Sequence, residues 1–324
     1  MADIHTLALW LIVLAADALF GGLPGLRRAL EAPLAAVAAL GFWFERRLNR
    51  ARRSDANRTV RGAVVVIVVV ALAWAAGAGI RALSVALPDE GIVEGIAVAC
   101  MLGQRRLIDR VRAVAAALAA GDLDAARAVL RGQLPYSAAT LDAHAAARGG
   151  VEAAAARFSD GVVGTAFWYL LAGLPGLFAY RAVGVLARRI GRPGESRAAF
   201  GLAAVRLDGA LTLVPGLIAG FLVVLAAPFV PGARPFAALR LWLRDAGTRL
   251  PEGAGRAEGA IAGALDVALG GPRPSPDGPI PGGWIGGGRA RADAADVRRA
   301  AGLLIVACLI AAAAVAALIV VAGR

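Results

Sequence analysis

The sequence predicts an all-α, polytopic integral membrane protein with amphipathic and re-entrant helices and a Gly/Pro-rich loop ahead of its last span. Three observations predict it. Hydrophobic residues make up 59% of the 324, against about 45–50% in soluble domains, and the mean hydropathy is +0.68. Apolar windows long enough to cross about 30 Å of hydrocarbon at about 1.5 Å per residue run over 60–80, 210–230 and 301–322. No window alternates polar and apolar residues between hairpin turns, so strands are not required. The whole chain, 1–324, reads as one membrane-embedded domain: N-terminal helices over 1–103, a polar core over 104–209, and C-terminal spans with their loop over 210–324.

In chain order, the apolar stretches 6–20 and 33–44 are short for full spans and read as a broken pair or a hairpin. The first lacks a basic stretch before it and an Ala-x-Ala site after it, so it is expected to be a retained anchor. Between positions 45 and 61 stand Arg46, Arg47, Arg50, Arg52, Arg53, Arg58 and Arg61, and short arginine-rich loops stay cytoplasmic. The same rule puts Arg289, Arg291, Arg298 and Arg299 inside and Arg324 outside. Positions 104–130 place Leu107, Val111, Val114 and Leu118 on one face and arginines on the other, an amphipathic helix broken at Gly121-Asp122, where Asp122 caps the next helix. An alanine-rich helix is expected over 141–156. The run 161–180 is long enough to span but is interrupted by Gly173-Leu174-Pro175-Gly176, which predicts a re-entrant hairpin with both ends on the cytoplasmic side. The Gly/Pro-rich stretch 269–291 is a loop, either a flexible linker or an ordered lid.

The net charge of +12 comes from arginine alone, since the chain has no lysine. That excludes a phosphate-loop lysine, a kinase-type lysine and a Schiff base to pyridoxal phosphate. Histidine occurs only as His5 and His144, cysteine only as Cys100 and Cys308, so no spacing suits zinc or iron–sulfur ligation. The arginines flank apolar segments and no aromatic-interleaved basic patch is present, so nucleic acid is not an expected partner; the bilayer is. What remains for chemistry is Asp, Glu, Ser, Thr, Tyr and Arg, a set suited to magnesium and phosphate.

Ser159-Asp160-Gly161 lies where a polar segment enters the apolar run up to Tyr180. An unpaired polar or charged group at such a place costs on the order of several kcal/mol, so a hydroxyl and a carboxylate there mark a candidate site. Helix capping or structural pairing with Arg148 or Arg206 are the alternative roles for the carboxylates.

The order LDAHAAARGGVEAAAARFSDGVVGTAFWYLLAGLPGLFAYRA, then FGLAAVRLDGALTLVPGLIAGFL, then GAGRAEGAIAGALDVALGGP resembles the adenosylcobinamide-phosphate synthase family of cobalamin-biosynthesis membrane proteins. The likeness covers almost the whole chain, with the Asp17 region, Glu45-Arg46-Arg47-Leu48 and Gln104-Arg105 with Asp109 fitting the earlier helices. The resemblance implies a bacterial inner-membrane, multi-pass ligase. Its expected reaction joins aminopropanol, free or phosphorylated, to the free propionate carboxylate of adenosylcobyric acid, with ATP and magnesium as co-substrates, a corrinoid substrate, and other membrane proteins of that pathway as partners. Carried over residue by residue, it implies catalytic roles for Asp160, Ser159 and Asp208, magnesium binding by Asp160 and Asp208, and substrate or phosphate binding by Arg148, Glu152, Arg181, Arg206 and Glu258. Asp142 also matches.

Departures from the family pattern concentrate on polar positions. An acidic residue and an asparagine that precede Ser-Asp-Gly become Ala156 and Arg157. A Tyr-Lys-Ala-x-Asn-Thr-x-Asp-Ser stretch becomes Tyr180 through Arg188, with Gly184 and Arg188 at two of the replaced places. Two readings are open: a divergent synthase in which Arg157, Arg181 and Arg188 supply the charge that phosphate requires, or a catalytically degenerate paralogue that binds corrinoid or acts as a regulatory or assembly subunit on the same scaffold.

Overall fold

The computed structural model describes residues 4–50, 52–88, 90–191, 195–245, 255–272 and 282–323. These form helices α1 (Ile4–Phe20), α2 (Pro24–Leu48), α3 (Asp55–Ala86), α4 (Glu90–Met101), α5 (Gln104–Ala119), α6 (Leu123–Leu130), α7 (Ala143–Phe158), α8 (Gly164–Ile190), α9 (Glu195–Leu211), α10 (Leu213–Ala226), α11 (Pro235–Asp245), α12 (Gly255–Leu265) and α13 (Ala294–Ala322). Two two-residue strands, β1 (Leu269–Gly270) and β2 (Trp284–Ile285), pair antiparallel. Contacts divide the chain into two compact units: Met1–Gly103, Gly164–Leu213 and Val315–Arg324 make the first; Gln104–Val163 and Val214–Ala314 make the second.

Among the described residues, three helical stretches are long and apolar enough to cross a membrane: Asp55–Ala86, Ala143–Ile190 and Ala294–Ala322. The chain is an all-α polytopic membrane protein. The window 210–230 is not one continuous helix; the ladder breaks at Thr212, and only Ala198–Leu211 and Leu213–Phe229 together pass as a span. Two causes converge there. The Thr212 hydroxyl donates to the Asp208 carbonyl at 2.6 Å, a back-bond that bends helices, and Pro215 can neither donate to Leu211 nor clear its carbonyl.

In the first unit α3 is the axis. Val65, Val66, Val69 and Ala73 pack against Ala182, Leu186, Ala187 and Ile190 of α8 and Phe200 and Ala204 of α9. Two glycines on α3 permit backbone contact: a Cβ at Gly62 would lie 1.8 Å from the Phe200 carbonyl oxygen, and one at Gly77 would lie 2.6 Å from that of Leu174.

The middle apolar run doubles back. Gly173 has φ 62 and ψ −159, a region that only glycine occupies readily, and the chain reverses around it. Trp168 stacks on Tyr180 with ring centroids 6.0 Å apart, and a Cβ at Gly164 would sit 2.1 Å from the Tyr180 hydroxyl. In a straight helix Gly164 and Tyr180 would be about 24 Å apart at about 1.5 Å per residue. Residues 164–172 and 174–190 are therefore the two limbs of a re-entrant hairpin whose tip rests on Gly77.

The second unit is built on small side chains. The amphipathic helix predicted over 104–130 is α5 and α6, separated at Gly121-Asp122, and Asp122 caps α6 by accepting from Ala125 N–H at 2.9 Å. Leu107, Val111 and Val114 enter a core with Val151, Ala154 and Phe158 of α7 and Ala260, Ile261 and Ala264 of α12. A Cβ at Gly263 would lie 2.4 Å from the Ala237 carbonyl oxygen, so α11 and α12 approach at backbone distance. The β1–β2 ribbon has no long alternating signal because it is made by turns: Gly270 and Gly271 hold φ of 72 and 79.

Candidate functional site

The Ser159-Asp160-Gly161 motif sits where α7 ends. From Ser159 to Val163 the helix widens into a π turn, a distortion that recurs at functional sites because it weakens the local ladder and re-aims side chains. Ser159 is 1% exposed, and its Oγ has no hydrogen-bond partner among the described residues. Leaving a buried hydroxyl unpaired costs about 1–3 kcal/mol. Asp160, next to it, is half-buried. A donor-acceptor hydroxyl and a carboxylate on consecutive residues can orient an amine or a carboxylic acid, or contribute oxygens to magnesium. Among the described residues no group of three or more His, Cys, Asp or Glu side chains is placed to hold a metal ion.

About two to three turns earlier on α7, Glu152 and Arg148 are fastened to the loop before α13. Glu152 is buried; its Oε1 accepts from the Gly270 N–H at 2.7 Å and its Oε2 from the Tyr136 hydroxyl at 3.1 Å. Arg148 donates to the Ala290 carbonyl at 2.6 Å and lies 5.5 Å from the centre of the Trp284 ring. His144 Nδ1 meets the Ala292 carbonyl at 2.9 Å, and Asp142 caps α7 by accepting from Ala145 N–H at 2.6 Å. The described flanks of the Gly/Pro-rich loop are thus ordered and pinned to the helix that leads to Ser159. Residues 273–281, within that loop, lie outside the described residues. Glu258 is half-buried in the first turn of α12, beside Arg256, whose guanidinium loss of water lowers below the ordinary arginine range.

The start of α13 carries a further charged group. Buried Asp296 accepts from Arg289 at 2.6 Å and from Arg299 at 2.5 Å, and its Oδ2 accepts from Asp293 N–H at 3.0 Å. Asp293 in turn accepts from the N–H groups of Ala295 and Asp296 at 2.8 and 3.0 Å. Partial burial raises the Asp293 carboxyl, but these two backbone donors, with Arg289 and Arg299, outweigh it and hold the group below the ordinary aspartate value of 3.8.

In the first unit, Arg181 is 7% exposed and follows Tyr180 on the return limb of the hairpin. Leu174 marks the level of Gly77, so Arg181 stands about 10 Å from the tip at about 1.5 Å per residue, within the length of the α3 apolar run. An ionisable group at such depth is a functional-site candidate. Asp208 and Arg188 converge over Gly184: a Cβ there would lie 3.3 Å from both terminal nitrogens of Arg188 and 3.3 Å from Asp208 Oδ1. The glycine and the arginine, two of the departures from the family pattern, thus belong to one local arrangement. Arg206 is exposed on α9. Arg192 and the Arg197 side chain, which follow the hairpin in sequence, lie outside the described residues. The structure accordingly groups Arg148, Glu152, Ser159, Asp160 and Glu258 in one unit and Arg181, Arg206 and Asp208 in the other.

One buried set escaped the sequence reading. Glu94, 3% exposed, pairs with Arg81 and accepts from the fully buried Tyr169 hydroxyl at 2.9 Å. It ties the outgoing limb of the hairpin to α3 and α4. The signal was a second glutamate one turn into α4, after Glu90 at its start, within an apolar stretch, and a lone arginine just beyond the apolar window that ends at 80.

The family described as CobD/Cbib protein matches residues 10–304. A "Cobalamin biosynthesis protein CobD" from Sinorhizobium sp is 38% identical over 237 residues, 72% of this chain and 73% of that protein. Proteins of the same description from Brucella melitensis and Rhodobacter capsulatus are each 32% identical, the first over 89% of both chains and the second over 91% of this chain and 92% of its own length. No solved structure gives a significant match. A match running from the first helix into the last, with relatives aligned over most of both lengths, makes the chain a member of the CobD/CbiB family.

Proposed function

We propose that this protein acts in cobalamin biosynthesis as the ATP-dependent ligase that attaches aminopropanol, or its phosphate, to the free propionate carboxylate of adenosylcobyric acid, in a bacterial inner membrane with its Ser159-Asp160 turn toward the cytoplasm. The relatives' shared description supports the pathway. The observation that carries the chemistry is the buried, unpartnered Ser159 hydroxyl beside Asp160 at a π turn.

A carboxylate is a poor electrophile, so the propionate oxygen attacks the terminal phosphorus of ATP, ADP departs, and the amine then displaces phosphate from the acyl carbon while losing a proton. In this reading Asp160 accepts that proton and Ser159 donates a hydrogen bond to the propionate oxygen. Magnesium, held by Asp160 and phosphate oxygens, would neutralise charge on the transferring phosphoryl group. Arg157, two residues before Ser159, supplies a cationic donor for phosphate. Arg148, Glu152 and Glu258 act as positioning and substrate-binding groups, Glu152 by holding the Gly270 backbone. The activated acid must also be kept from water, whose attack would waste it.

The test is to purify the protein in detergent and follow conversion of adenosylcobyric acid to its aminopropanol amide with ATP and magnesium. Amide formation dependent on both is expected. Corrinoid binding with no amide under any amine or metal tried would assign the chain to the degenerate, corrinoid-binding reading instead.

A further inference from the structure

At the corner between α2 and α3, seven arginines and a single carboxylate, Asp55, stand between Arg46 and Arg61. Arg58 is 5% exposed. Its Nε donates to Asn49 Oδ1 at 2.9 Å and its Nη1 to Asp55 Oδ1 at 3.1 Å, while its Nη2 is covered and has no acceptor among the described residues. The same is true of Arg53 Nη1, one residue before the Ser54 cap of α3. Arg61 is held nearby, donating to Asn57 at 2.7 Å. The Arg53 guanidinium is pushed below the ordinary arginine range, first by lost hydration and then by the charges of Arg61 and Arg50, so three cations crowd here. Covered guanidinium donors without an acceptor, on two residues that flank one helix start, are matched by an oxyanion that offers several oxygens.

The surroundings specify where that anion comes from. The corner lies immediately before the apolar run of α3, at the level where a bilayer has its headgroups. Phe42 and Trp43, 42% and 49% exposed, sit on the last turns of α2; the guanidinium groups of Arg46 and Arg189 lie 5.8 and 5.9 Å from the Phe42 ring centre, and that of Arg47 lies 4.8 Å from the Trp43 ring centre. Exposed aromatics beside basic residues are the composition of a membrane–water boundary. We infer that the α2–α3 arginine corner is a binding site for the phosphate of an anionic phospholipid headgroup, held by the covered guanidinium nitrogens of Arg53 and Arg58 with Arg50 and Arg61 around them. It uses none of the residues of the Ser159-Asp160 turn and does not depend on the ligase activity.

The experiment titrates detergent-purified protein with phosphatidylglycerol, with phosphatidylcholine, and with soluble inorganic phosphate and ATP, reading bound lipid by native mass spectrometry and the melting midpoint in parallel. Phosphatidylglycerol is expected to bind at least tenfold more tightly than phosphatidylcholine and to raise the midpoint. Arg53→Gln is expected to weaken that binding about tenfold while leaving the lipid-free midpoint unchanged, since the covered Nη1 of Arg53 has no acceptor among the described residues. Arg112→Gln, which removes the same charge from exposed α5, is expected to change nothing. Equal affinity for the two lipids, or identical behaviour of the Arg53 and Arg112 variants, overturns the proposal. Phosphate or ATP competing at the corner with no preference for phosphatidylglycerol would make the site one for a soluble phosphate and overturn the lipid assignment.

Discussion

At the scale of single residues, Ser159 separates catalysis from structure. A buried hydroxyl with no partner stabilises nothing, so Ser159→Ala is expected to leave the melting midpoint unchanged or slightly raised while lowering ligase turnover; a lower midpoint with normal turnover would make Ser159 structural. Glu152 behaves in the opposite way. Truncation to alanine strands the Gly270 N–H and the Tyr136 hydroxyl, a loss of about 1–3 kcal/mol, whereas Glu152→Gln retains an acceptor for Gly270 and a partner for Tyr136 and should melt near the wild type. Asp293 carries a pH dependence with a definite sign. Its folded carboxyl is held below 3.8, so its contribution is complete above the ordinary aspartate range and disappears as pH falls through the depressed folded value. Melting curves of Asp293→Asn and wild type should therefore differ at neutral pH by about 1 kcal/mol or less, the size of an exposed helix cap, and converge in strong acid. The cap at Asp122 was legible from sequence because capping depends on neighbours three residues away; that at Asp142 was missed, since the helix was expected to start at 141, ahead of it. The orphaned Ser159 hydroxyl was not, because burial without a partner is set by everything packed around it.

At the scale of elements, the hairpin was legible because its cause is local: Gly173 and Pro175 interrupt an apolar run. Gly173→Ala would force a side chain into a backbone region costing about 1–3 kcal/mol, and Gly164→Val would drive branched carbons into the Tyr180 ring. Both variants are expected to melt earlier in detergent, the second by more. The break at Thr212 was local too, yet the strong apolarity of 210–230 outweighed the Thr212 and Pro215 signals. The β1–β2 ribbon lay beyond sequence reasoning, since two-residue strands carry no periodicity. The buried Glu94–Arg81–Tyr169 set depends on three elements meeting, which no window reveals. A sidedness measurement addresses the hairpin directly. In a variant lacking Cys100 and Cys308, cysteines at Arg157 and Arg189 are expected to react with an impermeant thiol reagent from the same side, the cytoplasmic one; labelling from opposite sides would contradict a re-entrant path.

At the scale of the molecule, composition and arginine placement sufficed for the membrane class, and the order of motifs for the family. The division into two units did not show in the sequence, because the polar core expected over 104–209 contains the π turn after which the chain passes from one unit to the other. That turn is where the proposed chemistry resides. The most direct measurement compares wild type and Asp160→Asn, purified in the same lipid and matched for melting midpoint, in ATP-dependent formation of the aminopropanol amide of adenosylcobyric acid. Loss of at least about a hundredfold in turnover, the scale of a general acid–base contribution, is the expected result. Equal turnover in the two proteins would remove Asp160 from the mechanism and contradict its role as the proton acceptor.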